Sequence, residues 1–236
     1  MSGALINLVA KGVQNAFLDI NSRKNSLFRS RFSRISNFSQ APAQLPVIGK
    51  IAPGGRSSIE ILKKGDVING LWIETTDAYT TLIGSTFDLY IGGKLIDSQT
   101  VDYSADVWQV YLAENSSKSS AINNATSASD SNFYPFHFFF CDNKQFLPLV
   151  NLQYQEVEII VKWGSGVSAS TDLKCYGNFV YLDTMEREAF AQKTMDMMIT
   201  QVQKIESTDS ESFDISSLNH PIKSLFWGYQ SKSDDV

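Results

Sequence analysis

Apolar and polar positions alternate along residues 157–163: Val157, Ile159, Val161 and Trp163 fall on one face, Glu158 and Lys162 on the other, with Glu156 just ahead. A period of two is the mark of a half-buried strand. The preceding run, FYPFHFFFC at 133–141, is denser and alternates less. Phe136, Phe138 and Phe140 can share one face with His137 and Phe139 on the other, which predicts a strand covered on both sides. A connector containing Pro148 joins the two runs. Such strands need a second sheet to hide against, so the expected fold class is all-β, a β-sandwich.

The same reading extends along the chain. GALINLVAKGVQNAFL at 3–18 sets Leu5, Leu8, Val9, Gly12 and Val13 on one helical stripe, and reads as an arm that orders on contact with something else. LFRSRFSRISNF at 27–38 is a strand with much polar surface. After a Pro/Gly-rich turn region at 41–55, SSIEILKKGDVINGLWIETT predicts two strands about a Lys64-Gly65-Asp66 turn. FDLYIGGKLIDSQ predicts a hairpin around Gly92-Gly93. Tyr103, Val107, Trp108, Tyr111 and Leu112 recur at helical spacing, so a short amphipathic helix is expected there.

Residues 115–132 are nearly all Ser, Asn, Ala and Thr, too poor in large apolar groups to repay ordering, and read as a long exposed loop. A second loop spans 164–171, and KCYGNFVYL at 174–182 is another strand. Asp183 lies three residues before Glu186, a capping-box-like start for a short helix. Periodicity alone allows helix or strand for MDMMITQVQKIE, whose methionines read as core. STDSESFDISS is an acidic linker, and LNHPIKSLFWGYQ is a further apolar strand carrying Ile222, Leu225, Phe226, Trp227 and Tyr229.

Composition narrows the function classes. A chain of 236 residues, 43% hydrophobic and 12% aromatic, can bury a substantial core. No run reaches the roughly 18 apolar residues of a membrane span. MSGALINLVAKG lacks a basic lead-in and a cleavage pattern, so a soluble protein made in the cytosol is expected. Cys141 and Cys175 sit in strand-like runs without metal or redox spacing, and read as small buried hydrophobes. His137 and His220 are the only histidines, too few for a histidine-rich metal site, and no cofactor is expected.

The net charge of −5 is unevenly placed: Lys11, Arg23, Lys24, Arg29, Arg31 and Arg34 face a single acid, Asp19, across the first forty residues. Such an arm suits phosphate, lipid headgroups or an acidic partner, and equally the solvated side of an edge strand. Aromatic stacking platforms are missing, which favours the solvated reading and no specific nucleic acid.

No catalytic constellation assembles: there is no Gly-x-Ser-x-Gly elbow, P-loop or dinucleotide fingerprint. The pairs Glu156/Glu158 and Glu186/Glu188 invite a glycosidase reading, but Glu156 and Glu158 belong to the polar face of their strand and are expected in solvent. Asn37, Asn115 and Asn124 begin glycosylation-type triplets, which in a cytosolic chain are most often chance matches.

Seven stretches, in order, carry a resemblance: GALINLVAKGVQNAFL, SLFRSRFSRISNFS, KKGDVINGLWIE, YIGGKLID, FLPLVNLQYQEVEIIVKW, YLDTMEREAFAQ with ITQVQ behind it, and LNHPIKSLFW. With them the chain resembles the major capsid proteins of nucleocytoplasmic large DNA viruses, of the algal-virus and giant-virus type, across nearly its full length. LPLVNLQYQEVEI and LDTMEREAFAQ are the most specific.

The resemblance implies two consecutive jelly rolls per subunit, each a β-sandwich with short helices in its connections. It implies homotrimers forming pseudo-hexagonal capsomers of an icosahedral shell, and no enzymatic activity. It makes 198–205 the last strand of the first roll and LNHPIKSLFW the opening of a second. The organisation implied is an N-terminal arm at 1–22, a first jelly roll at 23–206, and a linker with the first strand of a truncated second roll at 207–236. The partners implied are the chain itself, neighbouring capsomers, minor capsid proteins and the inner viral membrane through the arm, with assembly in the host cytoplasm.

The sequence departs from the family in reading DINSRKNS where a Gly-Asn-Pro-type turn is usual, and in ending soon after the linker. It is therefore expected to be either a piece of a double roll or a single-roll relative such as a penton or minor shell component. The rival reading is a glycan-binding jelly roll. That would require exposed aromatics, whereas Trp72, Trp108, Trp163 and Trp227 are placed more naturally in core or interface.

Overall fold

The computed structural model describes residues 37–75, 79–108, 111, 115–117, 132–141, 145–168, 172–205 and 214–227. Among these residues ten strands form two sheets: β1 (Phe38–Leu45), β2 (Val47–Gly49), β3 (Arg56–Glu60), β4 (Val67–Thr75), β5 (Thr86–Ile91), β6 (Lys94–Thr100), β7 (Asn132–Pro135), β8 (Leu147–Pro148), β9 (Val157–Lys162) and β10 (Leu173–Leu182). One sheet runs β1-β10-β4-β7, with β8 also on β4; the other runs β2-β3-β9-β5-β6. Every pairing is antiparallel.

The chain changes sheet between β1 and β2, β3 and β4, β4 and β5, β6 and β7, β8 and β9, and β9 and β10. That repeated crossing is the jelly roll, and it confirms the all-β reading. Among the described residues, short helical turns fill the connections, at Tyr79–Leu82, Tyr103–Trp108, Phe139–Cys141 and Leu149–Leu152, together with the helix α1 (Thr184–Gln192).

The inner faces follow from alternation. Val157, Ile159 and Val161 of β9, and Trp163 just beyond it, are all buried, as the pattern predicts, while Lys162 is exposed. Phe87 of β5 sits among aromatic neighbours, its ring centroid 4.9 Å from that of Phe136, 5.4 Å from Tyr134 and 6.4 Å from Trp163. The Trp163 indole N–H donates to Ser57 Oγ at 2.8 Å, which satisfies the one polar atom that ring carries inward. The Gly92-Gly93 hairpin is as expected, with φ of 58° and 75°, a conformation that costs other residues strain.

Several expectations fail for identifiable reasons. The run at 133–141 is strand only through Pro135; it then continues without regular structure and closes as a helical turn at Phe139–Cys141. Continuous apolar density marks burial and leaves the backbone conformation open. The turn region at 41–55 contains the end of β1 and all of β2, and Pro46 stands where the chain passes from one sheet to the other. β1 is an edge strand, where Pro42 is tolerated. The strands about Lys64-Gly65-Asp66 are no hairpin, because β3 and β4 lie in opposite sheets.

Residues 194–205 are neither helix nor strand, and Met198 is exposed rather than core, although Met197 packs against the core. The apolar stretch at 218–227 is exposed and forms no strand. The readings for 3–18 and 27–36, and most of the loop at 115–132, lie outside the described residues.

Candidate functional site

Three places concentrate polar chemistry. The first joins α1 to the start of β4. Asp183 caps the helix, its Oδ1 accepting from the Thr184 N–H at 2.8 Å. At the other end the Asn151 side-chain amide donates to Phe190 O at 2.9 Å and to Lys193 O at 3.1 Å, taking up carbonyls that a helix end leaves unpaired. Between them Arg187 reaches back to Asp66: Nε lies 2.7 Å from Oδ1, Nη2 donates to Oδ2 at 2.9 Å, and the Leu182 N–H adds a bond of 2.8 Å. Burial pushes the Asp66 carboxyl up, but the bonds from Arg187 and Leu182 and the guanidinium charge outweigh it and hold the pKa below its ordinary value.

The second place is an open groove of about 220 Å³ beside this clasp, lined by Val67, Phe146, Val180, Leu182 and Phe190 with the amides of Asn69 and Gln145. Asn69 is the extra residue where the β4–β10 register shifts, and its Oδ1 accepts from Asn178 Nδ2 at 2.7 Å. The third lies at the margin of the other sheet. Asp97, 4% exposed, accepts from Gln99 Nε2 at 2.7 Å, the Val202 N–H at 2.9 Å and the Ser98 N–H at 3.0 Å. Burial raises its pKa despite these donors.

Among the described residues no group of three or more His, Cys, Asp or Glu is placed to hold a metal ion. Burial raises Cys141 and Cys175 to about 12 and lowers His137 to about 4, so at neutral pH the thiols keep their protons and the imidazole is uncharged. Glu156 is exposed ahead of β9, and Glu158 stands on the polar side of that strand opposite Glu60. Glu186 and Glu188 lie on α1, which buries none of its residues. Asn37 and Asn115 are exposed, and Asn124 lies outside the described residues. Of the tryptophans, Trp163 is in the core, Trp72 is half-buried and stacked on Tyr176 at 5.8 Å, and Trp227 is 79% exposed.

The family model described as major capsid protein N-terminus matches residues 26–183, from ahead of β1 to the residue that caps α1. The chain belongs to that family. The major capsid protein of Pyramimonas orientalis virus is 30% identical over 100% of this chain and 67% of its own length. That of Paramecium bursaria Chlorella virus 1 is 27% identical over 96% of this chain and 60% of its own.

Among solved structures, a quasi-atomic model of the PBCV-1 virus capsid superposes with a TM-score of 0.65 at 22% identity, covering 75% of this chain and 50% of that one. The Faustovirus major capsid protein superposes at 0.54 with 7% identity, covering 76% and 59%. These two likenesses are of fold. The chain spans about half to two thirds of the length of the relatives it matches. Both curated relatives are described as major capsid proteins.

Proposed function

We propose that this chain builds the shell of a large DNA virus as the first jelly roll of a capsid subunit, three subunits making a pseudo-hexagonal capsomer of an icosahedral capsid. The observation that carries the reading is the coincidence of the family match at 26–183 with the strand order β1-β10-β4-β7 and β2-β3-β9-β5-β6. Large interfaces repeated by symmetry stabilise a closed assembly without any catalytic group. On this reading 1–22 is an arm, 23–206 the first roll, and 207–236 a linker leading into a second roll. The exposed apolar residues Ile222, Leu225 and Trp227 are then surface that a second roll covers.

The basic balance of the first forty residues fits an inward arm meeting the inner viral membrane or minor capsid proteins. The Ser/Asn-rich stretch at 115–132 fits an outward loop, and assembly takes place in the host cytoplasm. Limited proteolysis of intact particles tests this orientation, with cleavage expected first within 115–132; cleavage in the arm first sinks it. The triplets at Asn37, Asn115 and Asn124 stay unmodified on this reading.

Intact mass of the virion protein carrying SGALINLVAKGVQ tests the domain organisation. A value near twice 26.3 kDa supports a double roll. A value near 26.3 kDa moves the assignment to a single-roll penton or minor shell component.

A further inference from the structure

The sheet β2-β3-β9-β5-β6 turns Ile59, Ile159, Val161, Phe87 and Leu89 into the core, so the residues between them form its outer face. Register sets these in rows across the strands. In the first row Arg56 of β3 stands opposite Lys162 of β9, in the middle row Ser58 stands opposite Ile160, and in the third Glu60 stands opposite Glu158. Cation therefore meets cation at one end of the face, and carboxylate meets carboxylate at the other.

Side chains directly opposite across an antiparallel pair lie about 5 Å apart, where like charges destabilise the sheet. The other sheet avoids this, setting Lys174 opposite Glu74. In the first row Lys162 finds an acid of its own, Asp88 Oδ2 at 2.7 Å, while Asp88 Oδ1 accepts from Ser98 Oγ at 2.6 Å. Arg56, Glu60 and Glu158 form no ion pair among the described residues. Arg56 and Glu60 are both exposed, and trading their places would make both cross-strand pairs attractive without touching the core. The fold itself does not call for this sorting by sign.

A second copy of the same face answers it. A half-turn about an axis along the middle row, in the plane between two such faces, lays strand over strand and reverses the order of the rows. Arg56 then lies over Glu60 of the second copy and Lys162 over Glu158 of the second copy, and the reverse contacts follow by symmetry. The two charged rows are four residues apart along β3, about 13 Å, so one registration serves all four pairs. The middle row is low enough for close approach: Ser58 is small, Ile160 is 9% exposed, and Asp88 is 2% exposed with its charge matched by Lys162. Ile48 of β2, opposite Ser58 and 49% exposed, adds apolar surface to the same row.

We infer that the outer face of β3 and β9 is a two-fold contact between copies of this chain, registered by Arg56 and Lys162 of one copy on Glu60 and Glu158 of the other. The contact is separate from the three-fold one proposed above and is tested without virions, so either can fail alone.

Sedimentation equilibrium of the full chain reads it. Wild type is expected to self-associate at ~0.01 M salt, and roughly tenfold more weakly at ~1 M, where charge pairs are screened. Arg56→Glu and Glu60→Arg, made singly, each set like charge on like across the two-fold axis and are expected to weaken self-association roughly tenfold. In an equimolar mixture of the two variants every pair is again opposite in sign, and wild-type affinity is expected to return. Urea midpoints of the dilute single variants are expected at or above that of wild type, because each substitution also removes a like-charge pair within the sheet. Weaker association with no loss of stability is a combination that damage to the fold would not give. Self-association that salt does not weaken, a mixture no stronger than its components, or midpoints well below wild type overturn the inference.

Discussion

Two neighbouring stretches of similar apolar density fold differently. Residues 157–163 alternate, and their backbone is a strand to Lys162 with every second side chain in the core. Residues 133–141 lack that alternation. After Pro135 they leave the sheet, yet Phe136, Phe138, Phe139 and Phe140 are all buried. Stacking replaces the ladder there: ring centroids of Phe136 and Phe138 are 5.5 Å apart, and those of Phe138 and Phe140 are 6.2 Å apart, with the ring planes nearly parallel in both pairs. A polar residue at alternate positions fixes which way a strand faces, whereas a run of apolar residues states only that the segment is buried.

Alanine replacement along both stretches gives the largest contrast. Phe136→Ala, Phe138→Ala, Phe139→Ala and Phe140→Ala are each expected to cost about 3–5 kcal/mol, with no alternation. In β9, Ile159→Ala is expected to cost about 2–5 kcal/mol, whereas Glu158→Ala stays within about 0.5 kcal/mol. Urea denaturation measures both series. A periodic pattern in the phenylalanine run, or none in β9, breaks the comparison.

Acid sharpens it, since the first stretch contains a partly buried histidine and the second none. His137 titrates at about 4 in the fold and near 6.5 when unfolded, so the unfolded chain takes up the proton first. The associated stability is complete above pH 6.5 and falls as pH drops towards 4, by about 3 kcal/mol at pH 4. Urea midpoints across this range are expected to flatten in His137→Leu; an unchanged slope contradicts the placement of the imidazole.

A smaller effect marks where the second stretch ends. A methyl group on Gly164 would meet Ile83 O at 2.4 Å and Gly84 C at 2.9 Å, so Gly164→Ala is expected to cost about 1–3 kcal/mol. A neutral result would show that the loop moves aside freely. The least perturbing probe is Cys141, which closes the first stretch. With its thiol pushed up to about 12, iodoacetamide at pH 8 is expected to label it only after urea is added, and rapid labelling of native protein would contradict that burial.

How far the sequence could be read follows the same division. β9, β10, the Gly92-Gly93 hairpin and the Asp183 cap were legible, because period, paired glycines and a capping residue act locally. β1 was hidden by Pro42 in an edge strand. The opposite-sheet placement of β3 and β4 is a tertiary fact that no turn residue states. The Asp66–Arg187 clasp spans 121 residues, and Asp66 had shown only its turn chemistry. Residues 194–205 missed strand geometry because side chains, not a ladder, hold them to β6. For function, no local pattern of reactive groups signalled a role; the seven dispersed stretches did, and the family match at 26–183 upholds the family they pointed to.

Native mass spectrometry of the capsid protein released gently from virions tests the account most directly. The predicted result is a trimer whose subunits carry this sequence. A protein recovered only as a monomer or dimer, or a virion without this chain, would contradict a shell-building role.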